Sequence, residues 1–239
     1  MSRAPRVSVV MAAYNAEAFI EAAIESALAQ TLPADVWELL VVDDGSTDGT
    51  RARAARFGEP VRWIEQAHAG LVPACNRGLR EARGEFFARL DADDVVDPRW
   101  LERCLAALEK HPGWACVLPD HVQWNVDGSK TPRRTEEGNV FDFLACGTLF
   151  RTAAVRAAGG FRPLYWEEVD LYLRLQARGE FGYLHEGLYT YRRHADNMTA
   201  SAARRKDGRR ELAAAWGAPA LRAAGRSDEL EAVLNAEES

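Results

Sequence analysis

Two runs of β-branched and apolar residues constrain the fold of this chain most: Val7–Ala13 (VSVVMAA) and residues 38–42 (ELLVV), each followed by a helical pattern. A strand with almost no polar alternation is buried on both faces, the environment of a parallel sheet covered by helices. After the first run Ile20, Ala23, Ile24, Ala27 and Leu28 form one apolar stripe at i, i+3, i+4, i+7 and i+8, which Pro33 ends. Asn15 reads as the cap of that helix. After the second run Asp43 and Asp44 lead into Gly45-Ser46-Thr47-Asp48, a turn and cap cluster, and the next helix stops at Gly58. Strand, helix, strand, helix with right-handed crossovers makes a parallel α/β sheet.

Residues 61–65 read as a third strand, and 71–82 as a third helix whose Leu71, Ala74, Gly78, Leu79 and Ala82 share a face. The fourth strand, residues 86–90, runs straight into aspartates: FFARLDADDVVDP. Asp91, Asp93 and Asp94 lie within four residues, so negative charge crowds the strand end unless a cation sits among them. Asp91 and Asp93 alternate, which sends both carboxylates to one side if the strand persists. Their oxygens suit Mg2+ or Mn2+. Taken alone, an aspartate cluster after a strand is more often a solvated turn. Its company matters: Tyr14, Asp44 and Asp93 each follow a strand, and ligands of open α/β sheets gather at such ends.

Beyond Asp97 and Pro98, read as cap and first residue of a helix carrying Leu101, Cys104, Leu105 and Leu108, the pattern changes. Residues 114–118 and 122–125 look like strands, with Asp127-Gly128 as a hairpin signal and 129–139 as a mobile polar loop. Residues 141–150 are apolar, a short helix ends at Gly159-Gly160, residues 168–178 are amphipathic, and 183–191 form a last strand. From residue 200 a helical tail begins, in which Leu212, Trp216, Leu221, Leu230 and Leu234 are spaced to pack back on the body. Such a tail is as often a homodimer contact as an element of the fold. The expected division is 1–98, 99–199 and the tail 200–239.

The net charge of −6 over 239 residues gives no basic footprint, which argues against nucleic acid as a partner. Cys75, Cys104, Cys116 and Cys146 are scattered and show no C-x-x-C pair, so they read as reduced core thiols. The absence of a long apolar run or a signal-peptide pattern predicts a cytoplasmic protein without a transmembrane segment, peripheral association with the inner face of the membrane being left open.

The ordered set VSVVMAAYNAE, ESALAQTL, ELLVVDDGSTDGT, CNRGLREARGEFFARLDADD, GTLFR, GGF and WEEVDLYLRLQARG resembles the family 2 glycosyltransferases. Any one piece is common, whereas the series in this order is specific. The resemblance covers the chain from Val7 to about Met198 and implies the GT-A fold: a mostly parallel central sheet flanked by helices, a smaller acceptor-side lobe and, outside the resemblance, the helical tail. It implies an inverting transferase that takes a sugar from a nucleoside diphosphate, most often a UDP-sugar, with a divalent metal (Mn2+ or Mg2+), to a glycan, lipid-linked or small-molecule acceptor.

Carried over by position, Ala12, Ala13, Tyr14 and Asn15 line the nucleotide, Tyr14 against the base. Asp44 bonds the base edge, Asp91 with Ala92 faces the ribose or a metal-bound water, and Asp93 binds the metal. Asp94 supports it from behind. Asn76 belongs to the donor site, although Cys75 stands beside it where relatives commonly carry an arginine. His194 completes the metal site or contacts the diphosphate, and Arg192 and Arg193 are possible phosphate clamps. The base in this family is usually the Asp of a Glu-Asp pair at a helix start. Glu167 and Glu168 match that pair, so Glu168 takes the base position, one methylene further out, with Glu167 and Asp170 as alternatives. Acidic residues also favour helix starts through the dipole alone. Two competing readings are a non-catalytic sugar-nucleotide-binding protein and a sugar nucleotidyltransferase; residues 12–18 lack the Gly-rich basic phosphate loop that the latter needs.

Overall fold

The computed structural model describes residues 4–58, 61–195 and 197–237. Its first half follows the alternation in the sequence: β1 (Val7–Ala13), α1 (Ile20–Leu28), β2 (Trp37–Asp43), α2 (Thr50–Ala54), β3 (Val61–Glu65), α3 (Leu71–Glu81) and β4 (Phe86–Arg89). β1 pairs in parallel with β2 on one side and β4 on the other, and β2 pairs in parallel with β3. The winding reverses between β1 and β4, so a crevice opens at the carboxyl ends of these strands.

The second half comprises β5 (Val95–Val96), α4 (Trp100–Lys110), β6 (Trp114–Trp124), β7 (Lys130–Arg133), β8 (Leu149–Arg151), α5 (Thr152–Ala157), α6 (Glu167–Leu175) and β9 (Glu180–Arg192). β8 runs antiparallel to β4 and β6, β9 lies parallel to β6, and β5 antiparallel to β9. Among the described residues one sheet of nine strands therefore crosses both halves. The pleat divides its side chains: Val7, Val9 and Met11 join the core with α1 and α4, while Val10 joins the core with α3, α5 and α6. Here α3 lies so close to β1 that a Cβ on Gly78 would stand 2.2 Å from Val10 Cγ1.

Several expectations change. The two strands at 114–118 and 122–125 are one strand, β6, which continues through Pro119 because its pairing with β9 shifts register there. The segment expected as a mobile loop contributes β7, which pairs with β6 across a turn where Asn125 N donates to Ser129 O at 2.8 Å. α4 starts at Trp100, and Asp97 caps it from further out, its Oδ1 accepting from Arg99 N at 2.9 Å. Asn15 does not cap α1; with φ +49° it instead turns its Oδ1 to Thr47 N at 2.9 Å, tying the loop after β1 to the loop after β2.

The tail folds as α7 (Ala202–Trp216), α8 (Ala218–Ala223) and α9 (Asp228–Glu237). Leu212, Leu221, Leu230 and Leu234 are buried in the core that also holds α6. All four cysteines are buried and free. Among the described residues no helix is long and apolar enough to cross a membrane.

Candidate active site

The carboxyl ends of β1, β2 and β4, the start of α6 and the segment after β9 enclose a cleft of about 540 Å³. The lining includes Ala12, Ala13, Tyr14, Asn15, Asp44, Asp91, Ala92, Asp93, Glu167, Glu168 and His194, whereas Asn76, Asp94, Asp170, Arg192 and Arg193 are not part of it. Asn76 has its amide closed on Phe161, with Nδ2 donating to the carbonyl at 2.8 Å and Oδ1 accepting from the amide at 2.9 Å. It secures the segment that leads to α6, which corrects its assignment to the donor site. Asp170 is fully buried behind α6, paired with Arg174 at 2.6 Å and accepting from Trp216 Nε1 at 3.0 Å. It anchors the helix to the tail and is removed from the list of candidate bases.

Asp43 and Asp44 divide their work as neighbours on a pleat do. Asp43 Oδ1 accepts from Ser46 N at 3.1 Å and caps the turn. The Asp44 carboxylate is buried under residues 66–70, where Oδ1 accepts from Gln66 Nε2 at 2.6 Å and Ala69 N at 3.0 Å, and Oδ2 from Gly70 N at 2.7 Å. His68 Nδ1 stands 2.9 Å from the same Oδ2. A carboxylate offers about four lone-pair positions, and three hydrogen bonds reach this one, while His68 Nδ1 bonds the Asp44 main-chain oxygen at 3.1 Å. Asp44 thus anchors this loop while also lining the cleft. The loop carries the His68 ring onto Tyr14, stacked at 4.0 Å between centroids and 26° between planes.

The aspartate turn is held by cations and donors from distant elements. Arg89, only 6% exposed, grips Asp91 with two nitrogens, Nε to Oδ1 at 2.6 Å and Nη2 to Oδ2 at 3.0 Å. Asp94 is fully buried, accepting from Tyr189 Oη at 2.5 Å and Arg192 N at 2.7 Å. Burial, then the charges of Asp93 and Asp91, push the Asp94 carboxyl well above the usual carboxylate range. The Arg192 guanidinium donates to the main-chain carbonyl of Asp93 and so clamps the turn itself; it is not aimed at a phosphate.

Asp93 turns the other way, towards His194 Nε2 at 2.9 Å and Asn197 Nδ2 at 3.4 Å. Two adjacent corners of an octahedron with bonds of about 2.1 Å lie about 3 Å apart, so this pair has the spacing of neighbouring ligands of one hard cation. His194 Nδ1 is buried without a partner among the described residues, so the fold's own hydrogen bonds hold the ring only through Nε2. Asp91, Asp94 and Cys146 also bring ligand atoms within 4.8 Å of one another. Their chemistry suits a hard cation less well: Arg89 engages both Asp91 oxygens, and burial pushes the Cys146 thiol far up.

On the facing wall α6 begins with Glu167 and Glu168. Glu167 is buried and its Oε1 accepts from Arg89 Nη1 at 2.8 Å. Glu168 keeps an exposed edge to the cleft; burial of the rest of the side chain, then the Glu167 charge, push its carboxyl well above the usual range. A carboxylate raised in this way is a stronger base than a solvated one, which is what deprotonation of an alcohol asks of it. Tyr165 and Trp166 also line the cleft, Tyr165 Oη donating to Met198 O at 2.7 Å. Trp124 lies away from it, against Lys130.

Sequence reasoning missed Arg89 and His68. Arg89 left a signal, a lone charge in an apolar strand two residues before Asp91 and therefore on the same face. His68 left none, because its partners Tyr14 and Asp44 come from other strands.

Residues 8–167 match the sequence pattern of Glycosyl transferase family 2. The putative glycosyltransferase EpsE of Bacillus subtilis (strain 168) is 34% identical over 213 residues, covering 82% of this chain and 76% of that protein. A hyaluronan synthase of Pasteurella multocida is 30% identical over 213 residues, 83% of this chain but 22% of its own length. Among solved structures, S. aureus TarS 1-349 in complex with UDP-GlcNAc superposes with a TM-score of 0.74 at 20% identity, over 96% of this chain and 70% of that one. The mannosyltransferase PcManGT from Pyrobaculum calidifontis, in complex with GDP-Man and Mn2+, gives 0.70 at 20% identity, over 98% and 69%. A GT-A sheet whose strand ends gather acidic side chains around one cleft, and a family pattern covering most of the same residues, lead to one conclusion: this chain belongs to glycosyl transferase family 2 and is a glycosyltransferase.

Proposed function

We propose that the cleft binds a nucleoside-diphosphate sugar of the uridine type and that its sugar passes, with inversion, to an acceptor hydroxyl approaching past α6. Residues 1–98 would supply the donor site and residues 99–199 the acceptor site. Asp93 and His194 would hold Mn2+ or Mg2+, which when bound offsets the diphosphate charge and assists its departure as a Lewis acid. Asp91, fixed in orientation by Arg89, would accept from a ribose hydroxyl. Glu168 would take the proton of the acceptor hydroxyl.

The observation that carries this reading is the pairing across one cleft: Asp93 with His194 on one wall and Glu168, with its raised carboxyl, on the other. The complexes of TarS with UDP-GlcNAc and of PcManGT with GDP-Man and Mn2+ support the donor class and the metal. The names of the hyaluronan and chondroitin synthases among the relatives favour a glycan acceptor over a lipid-linked or small-molecule one.

The test is a calorimetric titration of UDP with Mn2+, without it, and with Asp93→Ala. Binding that requires the metal and is lost in the variant is expected, followed by transfer from a UDP-sugar that Glu168→Gln abolishes. Full transfer activity in Glu168→Gln would remove Glu168 from the mechanism. Failure of every nucleoside diphosphate to bind would remove the donor assignment itself.

A further inference from the structure

The helix that presents Glu168 has no cap of its own. Trp166 stands at the N-cap position of α6, and an indole has no oxygen to accept the free N–H groups of the first turn. Besides the pair of Arg89 with Glu167, this end is held by α7, which lies beyond the residues 8–167 that match the family pattern. Trp166 Nε1 donates to Arg205 O at 3.4 Å, the Arg209 guanidinium lies over the Trp166 ring at 5.1 Å from its centre, and Tyr165 N donates to Glu211 Oε2 at 3.2 Å. Two residues past Glu168, Asp170 points the other way, since a helix turns about 100° per residue and the two side chains leave it about 200° apart. Asp170 is fully buried. Its Oδ2 is held at 2.6 Å by Arg174 of the same helix, whereas its Oδ1 accepts at 3.0 Å from Nε1 of Trp216, the last residue of α7. The tail helix thus grips α6 on both sides of Glu168, at residues 165 and 166 and again at 170.

From this we infer that Trp216 is a positioning residue for transfer: through Asp170 it fixes the rotation of α6 about its own axis and so aims Glu168 at the acceptor hydroxyl. This rests on the reading of Glu168 as the base. Trp216 does not line the cleft, so it acts on the reaction only through the helix. The leverage is geometric. Side chains reach about 5–6 Å from a helix axis, so a rotation of about 10° carries a carboxylate about 1 Å. A base works only within about 2.6–3.2 Å of the proton's oxygen, and a misplacement of about 1 Å costs up to about 10²-fold in rate. A rotation too small to unfold anything is therefore large enough to stop the chemistry. The donor wall, built on β1, β2 and β4, does not share this dependence, because α6 contributes none of it.

The experiment compares the wild type with Trp216→Phe and Trp216→Met, which keep an apolar side chain and remove the Nε1–H, and with Leu230→Ala, which loosens the same tail at α9. Turnover is read as release of UDP from UDP-glucose, UDP-galactose and UDP-N-acetylglucosamine with Mn2+, donor affinity as calorimetric binding of UDP, and stability as the melting temperature. Both Trp216 variants are expected to lose roughly 10- to 100-fold in kcat while the donor KM and the UDP affinity stay within about twofold. Leu230→Ala should lower the melting temperature at least as far and leave kcat within about threefold of the wild type. An unchanged kcat in the Trp216 variants, a fall in kcat that Leu230→Ala reproduces, or an equal loss of UDP affinity overturns the positioning role while leaving Glu168 in place. Full turnover in Glu168→Gln removes the base itself, and the positioning role falls with it. If the wild type releases UDP from none of the three sugars, the uridine donor reading falls and takes the inference along.

Discussion

Arg89 Nη1 lies 2.8 Å from Glu167 Oε1 while the other two nitrogens of the same guanidinium hold both oxygens of Asp91. One buried cation thus joins the aspartate turn to the first turn of α6, the proposed donor and acceptor sides of the cleft. Burial alone would lower the guanidinium pKa, yet Asp91, then Cys75 and Glu167, raise it well above its ordinary value. Removing it strands two acids in a wall that already crowds Glu168. Arg89→Met is expected to cost about 3–5 kcal/mol of stability. Arg89→Lys should restore part of the stability but little of the turnover, since an ammonium cannot serve both carboxylates with a planar fork. Urea denaturation alongside steady-state kinetics separates the two effects. Equal recovery of both by lysine would reduce Arg89 to a counter-charge.

Glu168 sets the sign of the pH dependence. Its folded pKa is raised, so the native state holds a proton that the unfolded chain has released over the interval between the two values. As the proposed base, Glu168 is ionised only above the folded value. Transfer should therefore rise with pH through a limb lying above the ordinary range of glutamate, while stability declines over the same interval. Glu168→Gln should erase that limb and lower turnover by roughly 10²- to 10⁴-fold. A rate profile flat from pH 5 to 8 would count against the assignment.

His194 is a ligand candidate rather than a fold element, since only Nε2 is engaged. His194→Ala is expected to weaken Mn2+-dependent binding of UDP by roughly 10- to 100-fold. The melting temperature without metal should hardly move. A large drop in that temperature with unchanged metal affinity would reverse the reading.

Gly208 lies in α7 where a Cβ would approach Tyr165 Cδ1 to 2.5 Å, and Tyr165 lines the cleft. Gly208→Ala gains helix propensity but must push the ring or the helix away, at a net cost of about 1–3 kcal/mol. Thermal unfolding should show the loss, and the acceptor KM should change more than the donor KM. A stabilised variant with both constants unaltered would mean that the tail yields freely.

The sequence made the first four strands legible because each is an uninterrupted apolar run followed by a helical stripe, and it made the cleft legible because each of three such strands ends in polar residues. What it hid was pairing. The two residues of β5 carry no pattern of their own and form a strand only because β9 passes alongside. β7 looked like a loop because an edge hairpin needs little hydrophobicity. In the site, Asn76, Asp170 and Asp44 had plausible spacing, yet each side chain is engaged by a partner distant in sequence: Phe161, Trp216 (beside the nearby Arg174), and the 66–70 loop. Motif spacing reports which residues reach a region. Whether they arrive with a free oxygen or nitrogen depends on contacts that spacing does not encode.

The clamp around the aspartate turn also bears on how the protein is made. Asp94 is held by Tyr189, 95 residues away, Asp93 faces His194 across 101, and Arg192 grips the Asp93 carbonyl. A nascent chain that has reached residue 98 contains all of these acids but neither Tyr189 and Arg192, which brace the turn, nor His194, which faces Asp93. During synthesis the four parallel strands can assemble while the turn stays unbraced, and the proposed cation pocket closes only once the β9 segment has left the ribosome. Cation affinity should therefore emerge in one late step of translation, and fragments that end before residue 194 should fold their sheet and stay blind to manganese.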